Sequence, residues 1–164
     1  MPHTNSKLPD ICIRAFQPND SHMVAEFFDQ MGEETAGFFN RGQGNRTVAL
    51  LYFTDQRRPH YEYFAATETV DGQERMAGYL FLWDTHRSVP WLGIAVRDCY
   101  KGMGLGTRLI AHARSYAIEH GKGGILLTTA QTNVRGQRLY EKSGYERLGV
   151  YDGEDQEYLY LLRF

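Results

Sequence analysis

The chain has 164 residues, 42% of them hydrophobic, and a formal net charge of -2. That length suits one domain, residues 1–164, with a sizeable core, the composition excludes a disordered chain, and the charge leaves no global basic field for nucleic acid. Two cysteines, Cys12 and Cys99, and six scattered histidines show neither a Cys-x-x-Cys pair nor metal-ligand spacing, so no disulfide framework and no metal site is expected. No apolar run approaches the ~18 residues of a membrane span, and the polar start MPHTNSKLPD lacks the apolar stretch of a signal peptide. A cytoplasmic protein, monomeric or homodimeric and bound to no membrane, is the expectation.

After a loose tail over residues 1–9, Ile11–Phe16 reads as a first strand. Asp20 is placed to open a helix that runs to Phe27 or Phe28. From Gly32 to Asn45 glycines alternate with EET and FFN, which predicts a short helix and a mobile loop; RTVALLYF fits a helix or a strand equally. YEYFAATETV and RMAGYLFLW are two strands joined by Asp71-Gly72, a hairpin turn. WLGIAV, after a polar connection, is almost wholly apolar and predicts a strand buried on both faces. Leu105, Leu109, Ala113, Tyr116 and Ala117 then recur at helical spacing up to Gly121. A buried strand, GILLTTA, leads to a helix capped by Asn133 and stopped at Gly144, and YERLGVY and YLYLLRF close the chain as strands. This order predicts an α/β (α+β) fold with a mixed, mostly antiparallel central sheet of about six or seven strands and about four helices.

YKGMGLGTRL, Tyr100 to Leu109, places Gly102, Gly104 and Gly106 between a buried strand and a helix. The first N–H groups of a helix lack partners and carry the positive end of its dipole, and glycines let the backbone approach an anion. Gly102 to Thr107 are therefore candidate phosphate donors, with Lys101, Thr107 and Arg97 as candidate side-chain contacts. A P-loop needs Gly-x-x-x-x-Gly-Lys-Ser/Thr, a dinucleotide fingerprint needs Gly-x-Gly-x-x-Gly, and here the order is Lys-Gly-x-Gly-x-Gly. A nucleotide, the pyrophosphate of coenzyme A and a purely structural turn all remain open from the loop alone.

One helix and one strand downstream lies NVRGQRLYEKSGY. With it, the chain resembles the GCN5-related N-acetyltransferase (GNAT) family. The resemblance rests on Lys101-Gly102-Met103-Gly104-Leu105-Gly106, then Asn133, Gly136 and Leu139-Tyr140-Glu141-Lys142-Ser143-Gly144-Tyr145, and departs only at Lys101, where Arg or Gln is usual. It spans about Trp91 to Tyr145.

The resemblance implies transfer of the acetyl group of acetyl-CoA, as cosubstrate and without a metal, to an amine by direct attack. The loop from Lys101 to Thr107, Met103 and Leu105 included, would hold the pyrophosphate. The Ile94–Ala95–Val96 stretch would pair with pantetheine, with an N–H of Ile94 or Val96 as oxyanion donor. Asn133 and Gly136 would support the pantetheine arm, and Tyr140 would assist the leaving thiolate. A thiol pKa near ~8.5 lies below tyrosine's ~10, so a hydrogen bond to sulfur accounts for much of that role. Many relatives carry a glutamate on the fourth strand, and SVPWLGIAV has none. Asp84, His86, Glu68, Glu33 or a water are the candidates for the proton of the amine. Glu33, Glu34 and Phe38, acids beside an aromatic pair, are the candidate acceptor contacts. Cys99 has no histidine neighbour in sequence and reads as a packing or surface residue. A non-catalytic acyl-CoA-binding module of the same fold is the alternative.

Overall fold

A computed structural model describes residues 7–164. The expected tail over 1–9 falls, up to residue 6, outside the described residues. Among the described residues seven strands form one sheet in the order β1-β2-β3-β4-β5-β7-β6. The strands are β1 Cys12–Ala15, β2 Tyr61–Val70, β3 Gln73–Trp83, β4 Trp91–Val96, β5 Gly124–Thr129, β6 Glu146–Val150 and β7 Tyr158–Arg163. The helices are α1 Ser21–Asp29, α2 Glu33–Phe39, α3 Gly44–Leu51, α4 Leu105–Glu119 and α5 Val134–Lys142.

The β2–β3 hairpin turns on Asp71 and Gly72, both at positive φ (50° and 78°), the geometry whose twist matches paired strands. Met76 to Leu82 of β3 are all buried, and Leu109, Leu105 and the Ala95 carbonyl crowd the place a Gly78 side chain would take. That strand is therefore covered on both faces. One face carries α4 and α5 over Leu80, Leu82, Leu92, Ile125, Leu127, Tyr160 and Leu162. The other carries α1 and α3 over Tyr63, Ala65, Met76, Tyr79, Phe81 and Ala95.

The ambiguous RTVALLYF stretch is helical, as α3 and the turn after it. Ala49 is fully buried, and Val48, Leu50, Tyr52 and Phe53 pack on the same aromatic core, where Tyr52 meets Phe16 edge-on at 5.3 Å. The mobile loop expected before it is instead a short 3₁₀ turn, Arg41–Gln43. It is held because the buried Asn40 side chain accepts from the Arg46 N–H at 3.0 Å and Arg46 pairs with Asp29 at 2.9 Å.

Every strand pair is antiparallel except β4 and β5, which run parallel and meet at a single pair, Trp91 and Leu126. Beyond that pair the two strands part. β5 instead pairs along its length with β7. The sheet is thus split from one end by a wedge-shaped opening.

Candidate functional site

The Arg97 N–H bonds back to Ala77 of β3 at 2.8 Å. Successive residues of a strand point their main-chain groups to opposite sides, so Gly93 and Ala95 face β3, while Ile94 and Val96 aim theirs into the opening. Those groups have no strand partner beyond the Trp91–Leu126 contact.

Gly93 has no side chain because Phe81 lies directly across from it: a Cβ at position 93 would stand 2.2 Å from Cε1 of that ring. The register there is regular, so Gly93 marks a close approach and not a bulge; the irregularity of this hairpin lies opposite Ala66 and Thr67. Gly93→Ala is expected to displace Phe81 and lower stability by about 1–3 kcal/mol, read from denaturant unfolding; an unchanged midpoint would show that the ring yields freely.

At the open end of β4 the chain turns through Asp98–Tyr100 into the glycine loop. Gly102 (φ 79°) and Gly104 (φ 89°) both lie in the left-handed region, and Gly104 is the N-cap of α4. The Arg108 N–H is the first to find a helical acceptor, Gly104 O at 3.2 Å, so the N–H groups of Leu105, Gly106 and Thr107 end the helix without backbone partners. A Cβ on Gly104 would meet nothing within 4 Å, whereas one on Gly106 would strike Leu139 at 2.8 Å. Gly104 therefore opens onto a void and Gly106 brings α4 against α5.

On α5, Asn133 accepts from the Gly136 N–H at 3.1 Å and donates to Thr129 Oγ1 at 3.1 Å. Gly136 is required by that cap, since a Cβ there would lie 2.5 Å from Asn133 Nδ2. Gly136→Ala should break the cap and lower stability by about 1 kcal/mol; a melting curve that superimposes on the native one would count against it.

These features enclose a cavity of about 470 Å³. Its walls include Ile94, Ala95, Val96, Lys101, Gly102, Gly104, Leu105, Gly106, Thr107, Asn133, Gly136 and Tyr140, so the structure brings nearly all the predicted cofactor contacts together. Met103 is not among them; its side chain packs against the core instead. Glu34 and Phe38, four apart on one face of α2, line the cavity, and Glu33 faces elsewhere.

Tyr140 is 9% exposed, and its hydroxyl has no hydrogen-bond partner among the described residues. Burial pushes that phenol well above the usual tyrosine range, and the charge of Glu157 pushes in the same direction.

Two cations behave differently from the sequence expectation. Arg97 is buried and turned away from the loop, donating to Met76 O at 2.9 Å and Gln30 Oε1 at 2.6 Å and pairing with Glu26 at 3.5 Å. Lys101 lines the cavity, but its ammonium is held by Asp98 at 3.1 Å and donates to Thr35. Thr35 donates to the same Asp98 at 2.9 Å, so the triad ties α2 to the glycine loop. Burial acts to raise the Asp98 carboxyl, but the bonds from Lys101 and Thr35 outweigh it and hold the carboxyl below its ordinary value.

Arg135, overlooked in the sequence, is the cation beside the loop, with Nη2 3.2 Å from where a Gly102 Cβ would lie. Its signal was its place in the first turn after the Asn133 cap.

None of the four candidate proton acceptors lines the cavity. The Glu68 carboxylate accepts from the Tyr100 hydroxyl. Asp84 pairs with Arg87 at 3.6 Å, and His86 packs on His60 with ring centres 4.2 Å apart, both at the far end of the hairpin. The carboxylates that do line the cavity are Glu34 and Glu157. Cys99 is an exposed free thiol.

The model of the acetyltransferase (GNAT) family matches residues 15–145. The chain belongs to the GNAT acetyltransferase family. No curated protein matches its sequence. Solved structures share the fold. A GNAT-family protein from Desulfovibrio desulfuricans superimposes with a TM-score of 0.75 at 21% identity, over 94% of this chain and 99% of its own. A GNAT acetyltransferase from Streptococcus pneumoniae gives 0.71 at 20%, over 94% and 99%. The aminoglycoside acetyltransferase AAC(6')-Ib, solved with coenzyme A and kanamycin, gives 0.67 at 19%, over 93% of each chain.

Proposed function

We propose that this protein is an acetyl-CoA-dependent N-acetyltransferase that acetylates a primary amine by direct attack. The observation that carries the reading is the wedge itself: free main-chain groups of Ile94 and Val96, a glycine-lined helix start at one end and an unpartnered buried tyrosine at its wall. The donor set fits coenzyme A. Unpaired N–H groups at Leu105, Gly106 and Thr107, with Arg135 beside them, suit a pyrophosphate. The Ile94 and Val96 edge suits the two amides of a pantetheine arm, much as another strand would. AAC(6')-Ib, which shares the fold, is solved with coenzyme A.

In this reading an N–H of Ile94 or Val96 donates to the thioester oxygen as negative charge develops there. The Tyr140 hydroxyl donates a hydrogen bond to the departing sulfur. Its raised pKa makes it a donor of a hydrogen bond more than of a whole proton, because a thiolate is a much weaker base than this phenolate. Asn133, fixed by Thr129 and Gly136, keeps one side-chain N–H for the arm or for a water.

A pH consequence follows. A tyrosine of ordinary pKa would ionise near ~10 and switch off the donor, but Tyr140 stays protonated beyond that range. With a saturating monoamine, kcat should rise through about pH 8 to 9 as the reacting nitrogen gives up its proton and show no fall up to about pH 10. A descending limb centred below pH 10 in a protein that remains folded would remove Tyr140 from this role.

The direct test is thiol release from acetyl-CoA across a panel of small amines and peptides, with the acetamide product weighed by mass spectrometry. Amine-dependent release with matching product supports the reading. Tight acetyl-CoA binding with no release for any amine would leave a binding module in its place.

A further inference from the structure

The wedge passes through the sheet, and its two mouths carry different chemistry. Tyr140 belongs to the core on the α4–α5 face, with Tyr158, Tyr160 and Leu162 of β7. Carried back one residue, the alternation of β7 puts Glu157 on the opposite face, the one that β4 meets with Trp91, Gly93 and Ala95. Glu157 precedes Tyr158, which pairs with Thr129 at the end of β5, so this carboxylate stands on the β5 side of the opening. Glu34 comes from α2, which packs over β4 on the other side. Both line the same cavity, and neither is paired with a cation among the described residues. Phe38 and Phe39 of α2 give the cavity apolar wall on the same side. Glu157 is also close enough to Tyr140 for its charge to be felt at that hydroxyl, after the larger effect of burial.

We propose that the acceptor is an amine with two cationic groups joined by an apolar spacer, its reacting ammonium held and deprotonated by Glu157 and its second ammonium held by Glu34. This rests on the N-acetyltransferase reading above and deepens it.

Glu157 takes one proton from the ammonium, leaving a neutral amine on the α2 side of the wedge. The nitrogen lone pair forms the C–N bond to the thioester carbon. As the C–S bond breaks, its electron pair goes to sulfur on the Tyr140 side. The nitrogen's second proton passes to that sulfur, which yields the amide and the free thiol. Glu157 then returns its proton to water.

The test is steady-state acetylation of an α,ω-diaminoalkane and of the monoamine of the same chain length, with calorimetry of acetyl-CoA binding for each variant. The native protein should favour the diamine by about tenfold in kcat/KM, the size of one charge-assisted contact. Glu34→Gln should remove most of that preference by raising the KM of the diamine about tenfold, and should change the monoamine less than about threefold. Glu157→Gln should lower kcat for both amines by about 10²-fold with acetyl-CoA affinity retained, and Glu157→Asp should recover part of the loss. Equal use of the two amines by the native protein, or a Glu157→Gln kcat within threefold of native, would overturn the proposal and leave the N-acetyltransferase reading standing. A native protein that binds acetyl-CoA and acetylates neither amine nor any member of the wider panel overturns both.

Discussion

Gly104→Asp is expected to abolish acetyl-CoA binding while the protein stays folded. Gly104 sits at φ 89° as the N-cap of α4, and a Cβ there would point into open cavity, with no protein atom within 4 Å. The substitution therefore creates no clash with the fold. Its backbone cost is the left-handed conformation, about 1–2 kcal/mol, which aspartate tolerates better than most residues. What it adds is a carboxylate where the unpaired N–H groups of α4 meet the anion. Losing even one charge-assisted bond is worth about 1.5–3 kcal/mol, and repulsion between like charges adds to it. An affinity loss of at least about 10²-fold follows. Gly104→Ala separates the two effects, since it carries the backbone strain and no charge. Calorimetry that finds native acetyl-CoA affinity in a folded Gly104→Asp protein would place the pyrophosphate elsewhere.

Tyr140→Phe should lower kcat by at least about 10²-fold, the lower end for assistance to a leaving group, with acetyl-CoA affinity nearly unchanged. The side chain is 9% exposed, and its ring packs 6.0 Å from both Tyr145 and Tyr160, so phenylalanine keeps the packing. The hydroxyl has no hydrogen-bond partner among the described residues, so its removal leaves no buried group unsatisfied. The variant should be as stable as the native protein or slightly more so. That combination, stability held and turnover lost, distinguishes a group acting on the reaction from one holding the fold. A kcat within about threefold of native would rule the role out.

The glycine loop and the α5 motif were legible because their chemistry is local. Left-handed backbone favours glycine, and Gly102 and Gly104 supply it within a few residues of the helix they precede. Asn133 and Gly136 are likewise three residues apart and touch each other. The hairpin at Asp71-Gly72 and the buried stretch of β3 follow from turn chemistry and apolar runs, which act over the same short range; β4, expected to be buried on both faces, is only half-buried at Trp91, Gly93, Ile94 and Val96, because the wedge opens beside it.

Charged side chains were harder to place, because their partners are distant in the chain. Lys101 meets Thr35 across 66 positions, and Arg97 meets Gln30 across 67. No spacing rule brings such pairs together. α3 was ambiguous for a related reason: its apolar residues suit either period, and only the aromatic core under Ala49 and Tyr52 selects the helix.

The sequence by itself determined the element types apart from α3, the glycine-capped start of α4, the Asn133 cap and the family to which they point, because each depends on residues within one turn or one hairpin. Which carboxylates enter the cavity was decided only by the tertiary structure. Glu68 and Asp84 are drawn to Tyr100 and Arg87, and Glu33 lies on the wrong face of α2. Glu157, which lies between the two closing strands and was not singled out in sequence, reaches the cavity because β7 inserts between β5 and β6 and so sets its first residues beside the end of β5. That placement is a property of strand order, and strand order is selected by the burial of whole faces, which no local pattern encodes.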